Sequence, residues 1–166
     1  MTNTVWLGVD LGNARVGLAL SDPELTLAHP AGNVEVQHDS FEAIEQIIQV
    51  IEDNDVVRVI VGYPLLLDGT AGKSARKAAR WVKAIRARIE TLIDDDDFAV
   101  PQAPVIVLAD ERLTTVTAHA MLLEANVSSR AHRPRVDQQS AAIILQSAID
   151  AETALHQQGV TCESQT

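Results

Sequence analysis

Val5-Trp6-Leu7-Gly8-Val9-Asp10-Leu11-Gly12-Asn13-Ala14-Arg15-Val16-Gly17-Leu18-Ala19-Leu20 reads as two apolar strands around a tight turn. Gly12 and Asn13 both tolerate the positive φ angles such turns use. Asp10 stands out as an ionisable residue near the end of an otherwise apolar strand. Strand alternation puts it on the face of Gly8 and Trp6, opposite Val5, Leu7 and Val9. With a four-residue turn, Asp10 faces Gly17, with Ala19 beside it. Such small neighbours leave room for a substrate backbone or a metal ion. A carboxylate here could equally satisfy the N–H groups of the hairpin.

Outward from this hairpin the chain alternates. Thr26 to Gln37 contains a third strand, disturbed by Pro30 and Gly32. Asp39 or Ser40 caps a helix whose apolar spacing is Phe41, Ile44, Ile47, Ile48 and Ile51. Val56 to Val61 is a strand buried on both faces. A second helix follows the glycine-containing loop Leu65 to Gly72 and runs to about Ile93. Its core face is Ala78, Val82, Ile85, Ile89 and Leu92. Asp94 to Asp97 opens an exposed loop, since negative charge is unfavourable at a helix C-terminus. Val105 to Ala109 is another buried strand. Thr115 to Ala125 reads as a short helix, Asn126 to Arg135 as a basic loop, and Val136 to Leu155 as a final helix. That helix has Ala141, Ile144, Leu145, Ala148 and Ala151 at core spacing. Residues 1–155 form one α/β domain with a single mixed sheet flanked by helices. Residues 156–166 are expected to be a disordered C-terminal tail.

With 166 residues and 46% apolar content, the chain can bury one real core. Aromatic residues are only 3%, which leaves little for base-stacking platforms. The single cysteine, Cys162, allows no intrachain disulfide and no cysteine metal site. There is no signal-type N-terminus and no long apolar run, so a cytoplasmic protein without membrane contact is expected. The net charge of −10 argues against a polyanion partner until its distribution is considered. Seven of the thirteen Lys and Arg lie between Lys73 and Arg88, and three more are Arg130, Arg133 and Arg135. Arg76, Arg80 and Lys83 share one helix face that could track phosphates, or could simply be solvated.

Two further carboxylates could join Asp10. Glu111 follows a buried strand, where open α/β sheets place ligands, though Asp110-Glu111-Arg112 could equally be a surface ion pair. Asp137 opens the last helix, where a carboxylate also suits the dipole. It directly follows the basic segment 130–135. No histidine pair has zinc spacing, and no phosphate-loop or serine-nucleophile motif is present.

Four segments in order resemble the YqgF/RuvX family. They are Gly8 to Asp22; Val61-Gly62-Tyr63-Pro64 with Asp68-Gly69-Thr70; Asp110 to Thr115 with Ala118; and Asp137 to Gln146. The family usually has Leu at Tyr63 and Ala at Ser140; neither departure touches a carboxylate. The resemblance implies an RNase H-like fold with a five-stranded sheet, three antiparallel strands first. It implies a nuclease acting on structured nucleic acid, precursor rRNA or branched DNA. One such role is maturation of the 5′ end of precursor 16S rRNA; another is Holliday junction resolution. Asp10, Glu111 and Asp137 match the family's acidic catalytic and metal residues, with Mg²⁺ as cofactor and Mn²⁺ as a substitute. Arg15, Arg76, Arg80, Lys83, Arg112, Arg133 and Arg135 are the candidate nucleic-acid contacts.

Two other classes compete. A sugar-kinase or actin-type ATPase also begins with Asp-x-Gly in a hairpin, but it needs a second such domain. A non-catalytic RNA-binding protein of ribosome assembly could keep the fold without the chemistry.

Overall fold

The computed structural model describes residues 4–12, 14–63, 72–100, 102–110 and 129–163, with backbone alone at 110, 129–138 and 157–163. The strands are β1 (Val5–Leu11), β2 (Arg15–Ser21), β3 (Ala28–Glu35), β4 (Val56–Tyr63) and β5 (Val105–Asp110). The helices are α1 (Ile44–Asn54), preceded by a 3-10 turn at Ser40–Ala43, then α2 (Lys73–Asp94) and α3 (Ser129–Glu163). One sheet orders the strands β3-β2-β1-β4-β5. β1 pairs antiparallel with β2, and β2 with β3, while β4 and β5 continue parallel to β1. The expected mixed five-stranded sheet is therefore present. The expected helix over 115–125 lies outside the described residues.

Each strand supplies residues to two cores, because successive side chains point to opposite faces. On one face Leu7, Val9, Val16, Val59 and Ile106 pack under α1 and α2. The four isoleucines expected of α1 are buried there. So is Trp81 of α2, a position the aliphatic reading passed over; its indole donates to the Ser40 carbonyl at 2.9 Å. On the other face Trp6, Ala19 and Ile60 meet Ala141, Ile144, Leu145 and Ile149 of α3. Here Ile149 is buried and Ala151 exposed, so the core stripe of α3 leaves the expected Ala148–Ala151 track.

Gly8 sets how closely α3 approaches. A Cβ at this position would come within 2.6 Å of the Ala141 carbonyl oxygen and 2.8 Å of Leu145 Cβ. Gln146 then stitches α3 to the start of β3. Its Oε1 accepts from Ala28 N–H at 2.8 Å, and its Nε2 donates to the Thr26 carbonyl at 3.2 Å.

The irregularity expected of β3 is found. Its register with β2 shifts between Leu18 and Ala19, and Gly32 takes φ 102°, open to glycine without strain. Helix α3 begins at Ser129, so part of the segment read as a basic loop is helical despite Pro134. Pro134 has no N–H, so this stretch forgoes the helical hydrogen bond to the Arg130 carbonyl. At the far end of α2 the acidic run finds a counterweight. Arg88 Nε donates to Glu45 at 2.6 Å, and the fields of Asp95 and Asp97 add to Glu45 in raising the guanidinium pKa.

The β2–β3 connection holds a pH-sensitive turn. Asp22 accepts from the backbone N–H groups of Leu27, at 3.0 Å, and Thr26, at 2.7 Å, and from the Thr26 hydroxyl. The Leu27 N–H and then the Thr26 hydroxyl pull its pKa down to about 2. A depressed folded-state pKa gives stability that is complete above about pH 4 and lost as pH falls towards 2. Asp22→Asn should therefore flatten the acid limb of a melting-temperature profile between pH 5 and 2. Parallel profiles for both proteins would mean the turn carries no such linkage.

Candidate active site

Asp10 is half-buried at the C-terminal end of β1, the sheet's central strand. It pairs in register with Gly17 of β2, as the hairpin reading requires. One step beyond the Val9–Val61 pair, it lies level with Gly62 of β4, which pairs with Ala109 of β5. The α3 face at this level is thus a row of minimal side chains, Gly17, Gly62 and Ala109, with one carboxylate among them. The adjoining strands thus set no side chain larger than a methyl group beside that carboxylate.

The turn holds this geometry. Gly12 N–H donates to the Arg15 carbonyl at 3.0 Å, closing the hairpin directly beside the site. Arg15 opens β2 opposite Glu35. By alternation it shares the α3 face with Gly17 and Ala19, which puts a cation position on the face of Asp10.

Helix α3 runs antiparallel to β1. Ile149 lies beside Trp6, whereas Ala141 and Leu145 lie on Gly8. Residues 149, 145 and 141 form one stripe at four-residue spacing. The next position on that stripe is 137, one turn nearer the sheet edge that carries Asp10. Arg133 and Arg135 belong to the same first turns of α3. Glu111 and Arg112 lie outside the described residues, as does the loop from Pro64 to Ala71.

On the other face, α2 starts at this same sheet edge, after β4 ends at Tyr63. Lys73, Arg76, Lys77 and Arg80 line a concavity of about 370 Å³ with Ser74. Arg76, Arg80 and Lys83 are all exposed, as their shared face required, but Lys83 sits a turn beyond the concavity. The other two cations of the helix serve the fold. Arg86 donates to the Ile106 carbonyl of β5, and Arg88 binds Glu45. The charge count had no means of separating these from the free face.

Among the described residues no three His, Cys, Asp or Glu side chains gather as a metal site, and no helix is long and apolar enough to cross a membrane.

A family model, RuvX: Holliday junction resolvase, matches residues 4–151. The protein named "Putative pre-16S rRNA nuclease" in Bifidobacterium adolescentis is 58% identical over 146 residues, 88% of this chain and 97% of that protein. Its namesake in Rhodococcus opacus is 39% identical over 147 residues, 87% of this chain and 76% of that protein. Among solved structures, Thermus thermophilus RuvC in complex with Holliday junction substrate aligns with a TM-score of 0.50. That alignment covers 91% of this chain and 96% of the other at 15% identity, a likeness of fold alone. The fold is the RNase H-like one, a mixed five-stranded sheet flanked by helices.

Proposed function

The chain belongs to the Holliday junction resolvase family RuvX, and from that membership we propose a metal-dependent nuclease that hydrolyses phosphodiester bonds of structured nucleic acid. Its relatives' name makes the precursor of 16S rRNA the first substrate to test, and the family's name makes the four-way DNA junction the second. One observation supports this above the others. The carboxylate Asp10 stands near the end of the central strand in a row of glycine and alanine, on the face of α3, whose position 137 is one turn from Ala141.

In this reading Asp10, Glu111 and Asp137 form one site. β5 places Val107 and Ala109 against the α3-face cluster, and Glu111 follows directly on the end of that strand in the sequence. Three carboxylates form an all-oxygen donor set, which suits Mg²⁺, and Mn²⁺ in its place. When bound, such an ion polarises the phosphodiester and lowers the pKa of a water. Asp10 holds the central place, while Arg15 and Arg112 orient phosphate beside it. Arg133 and Arg135 add positive charge at the start of α3. The cations of α2 carry the flanking backbone along the other rim of the same edge.

The test is cleavage of a precursor 16S rRNA fragment and of a four-way DNA junction, with Mg²⁺ and with a chelator. Mg²⁺-dependent cleavage of either substrate upholds the nuclease, and which one is cut assigns the substrate. No cleavage of either, with RNA binding intact, would instead leave an assembly protein.

The α2 cations make a separate prediction. Each phosphate contact adds about 0.7–0.9 to the slope of log affinity against log salt. The variant Arg76→Ala, Arg80→Ala, Lys83→Ala should bind nucleic acid more weakly, with a slope shallower by about 2 to 3. Its rate at saturating substrate should change less than its affinity, because these side chains position the backbone. A salt series with an unchanged slope would show that the face is merely solvated.

A further inference from the structure

At the opposite edge of the sheet from Asp10, α3 and the strands part to form a cleft of about 540 Å³. Trp6 lies at its floor with Leu25 and Ile149. Arg58 occupies a place on β4 where the fold calls for an aliphatic residue facing α3, two residues before the buried Ile60. Its guanidinium lies over the Trp6 ring, 4.6 Å from the centroid, and 4.0 Å from a Glu152 carboxylate oxygen. Glu24 adds a second carboxylate to the lining.

We propose that this cleft is a second binding site, for a planar nitrogen heterocycle of the nucleobase class. Trp6 and Glu152 pre-orient the guanidinium, and a guanidinium plane is a stacking surface for a base. Leu25 and Ile149 supply the apolar surface that a flat ring needs. The carboxylates of Glu24 and Glu152 accept hydrogen bonds from exocyclic amino groups. The same carboxylates repel phosphate, and both basic groups of the lining, Arg58 and His156, already face Glu152, at 4.0 Å and 3.4 Å, so the site favours the base over the phosphate. The ligand is either a free nucleoside or an unpaired base of a bound strand. Four residue steps along β1 lie between Trp6 and Asp10, roughly 13 Å. The proposal does not depend on the nuclease reading, and its readout is independent of cleavage.

The experiment is a ¹⁵N NMR titration of the full chain with adenosine, with ATP, and with a single-stranded adenosine pentanucleotide. Adenosine should shift amides around Trp6, Leu25, Arg58 and Ile149, with ATP binding at least tenfold more weakly. Shifts of these amides by adenosine identify a free nucleoside as a competent ligand. Shifts with the pentanucleotide alone identify the strand as the source. Arg58→Met keeps an unbranched stem on Trp6 and removes the guanidinium; it should weaken binding about tenfold. Thr153→Phe adds bulk at an exposed lining position, with no core residue disturbed, and should abolish the shifts. The proposal is overturned if neither adenosine nor the pentanucleotide shifts the cleft, if ATP binds as tightly as adenosine, or if the shifts survive Thr153→Phe.

Discussion

Asp10→Asn should lower Mg²⁺-dependent cleavage by about a thousandfold or more, equivalent to about 4 kcal/mol in the barrier. Asparagine keeps the size of the side chain and one oxygen but removes the charge that a hard cation requires. The two apolar clusters of the sheet are built without Asp10, which is half-buried beside Gly17, Gly62 and Ala109. The melting temperature should therefore stay the same or rise, because the carboxylates of the proposed site would repel one another when no cation is bound. Addition of Mg²⁺ should stabilise the wild type more than the variant. A variant that cleaves normally at saturating Mg²⁺ would remove Asp10 from the site.

Gly8→Val should be the most damaging single change to the fold. Even a bare Cβ at this position meets a helix carbonyl at 2.6 Å and a second side-chain carbon at 2.8 Å. Neither is the loose end of a long side chain, so α3 itself has to move. Overpacking of this kind costs about 1–3 kcal/mol and sometimes more, and valine adds two methyl groups to the clash. At this chain length that corresponds to a fall of roughly 2–12 °C in melting temperature. Activity should drop further than stability explains, since a lifted α3 carries position 137 away from Asp10. Gly8→Ala should show the same pattern on a smaller scale. An unchanged melt in both variants would mean that α3 is not seated on β1 at this distance.

The hairpin was legible because its signals are local. Alternation placed Asp10 with Gly8 and Trp6, and the turn residues set its pairing with Gly17. β4 and β5 were legible as apolar runs, and α1 as an isoleucine stripe. The role of Gly8 was not legible, because it depends on a contact with Ala141 far along the chain. The same holds for Arg58, which reads as an ordinary strand charge until Trp6 and Glu152 are seen around it. The start of α3 was misread because Pro134 and the arginines around it have loop composition, and composition does not show what a helix tolerates in its first turns. For the carboxylates, sequence order put Asp10 at a strand end and Asp137 near a helix start. Only the α3 stripe gave a physical reason for these two positions to share one edge.

The seating of α3 on β1 also bears on when the protein becomes competent. Gly8 and Ala141 are separated by about 130 residues, which take of order ten seconds to synthesise. Throughout that interval the emerging polypeptide can fold its hairpin and cover one side with α1 and α2, while the Asp10 side waits for its last partner. If position 137 completes the site, a half-made enzyme of this kind is inert on the ribosome. Its chemistry is then timed by translation itself.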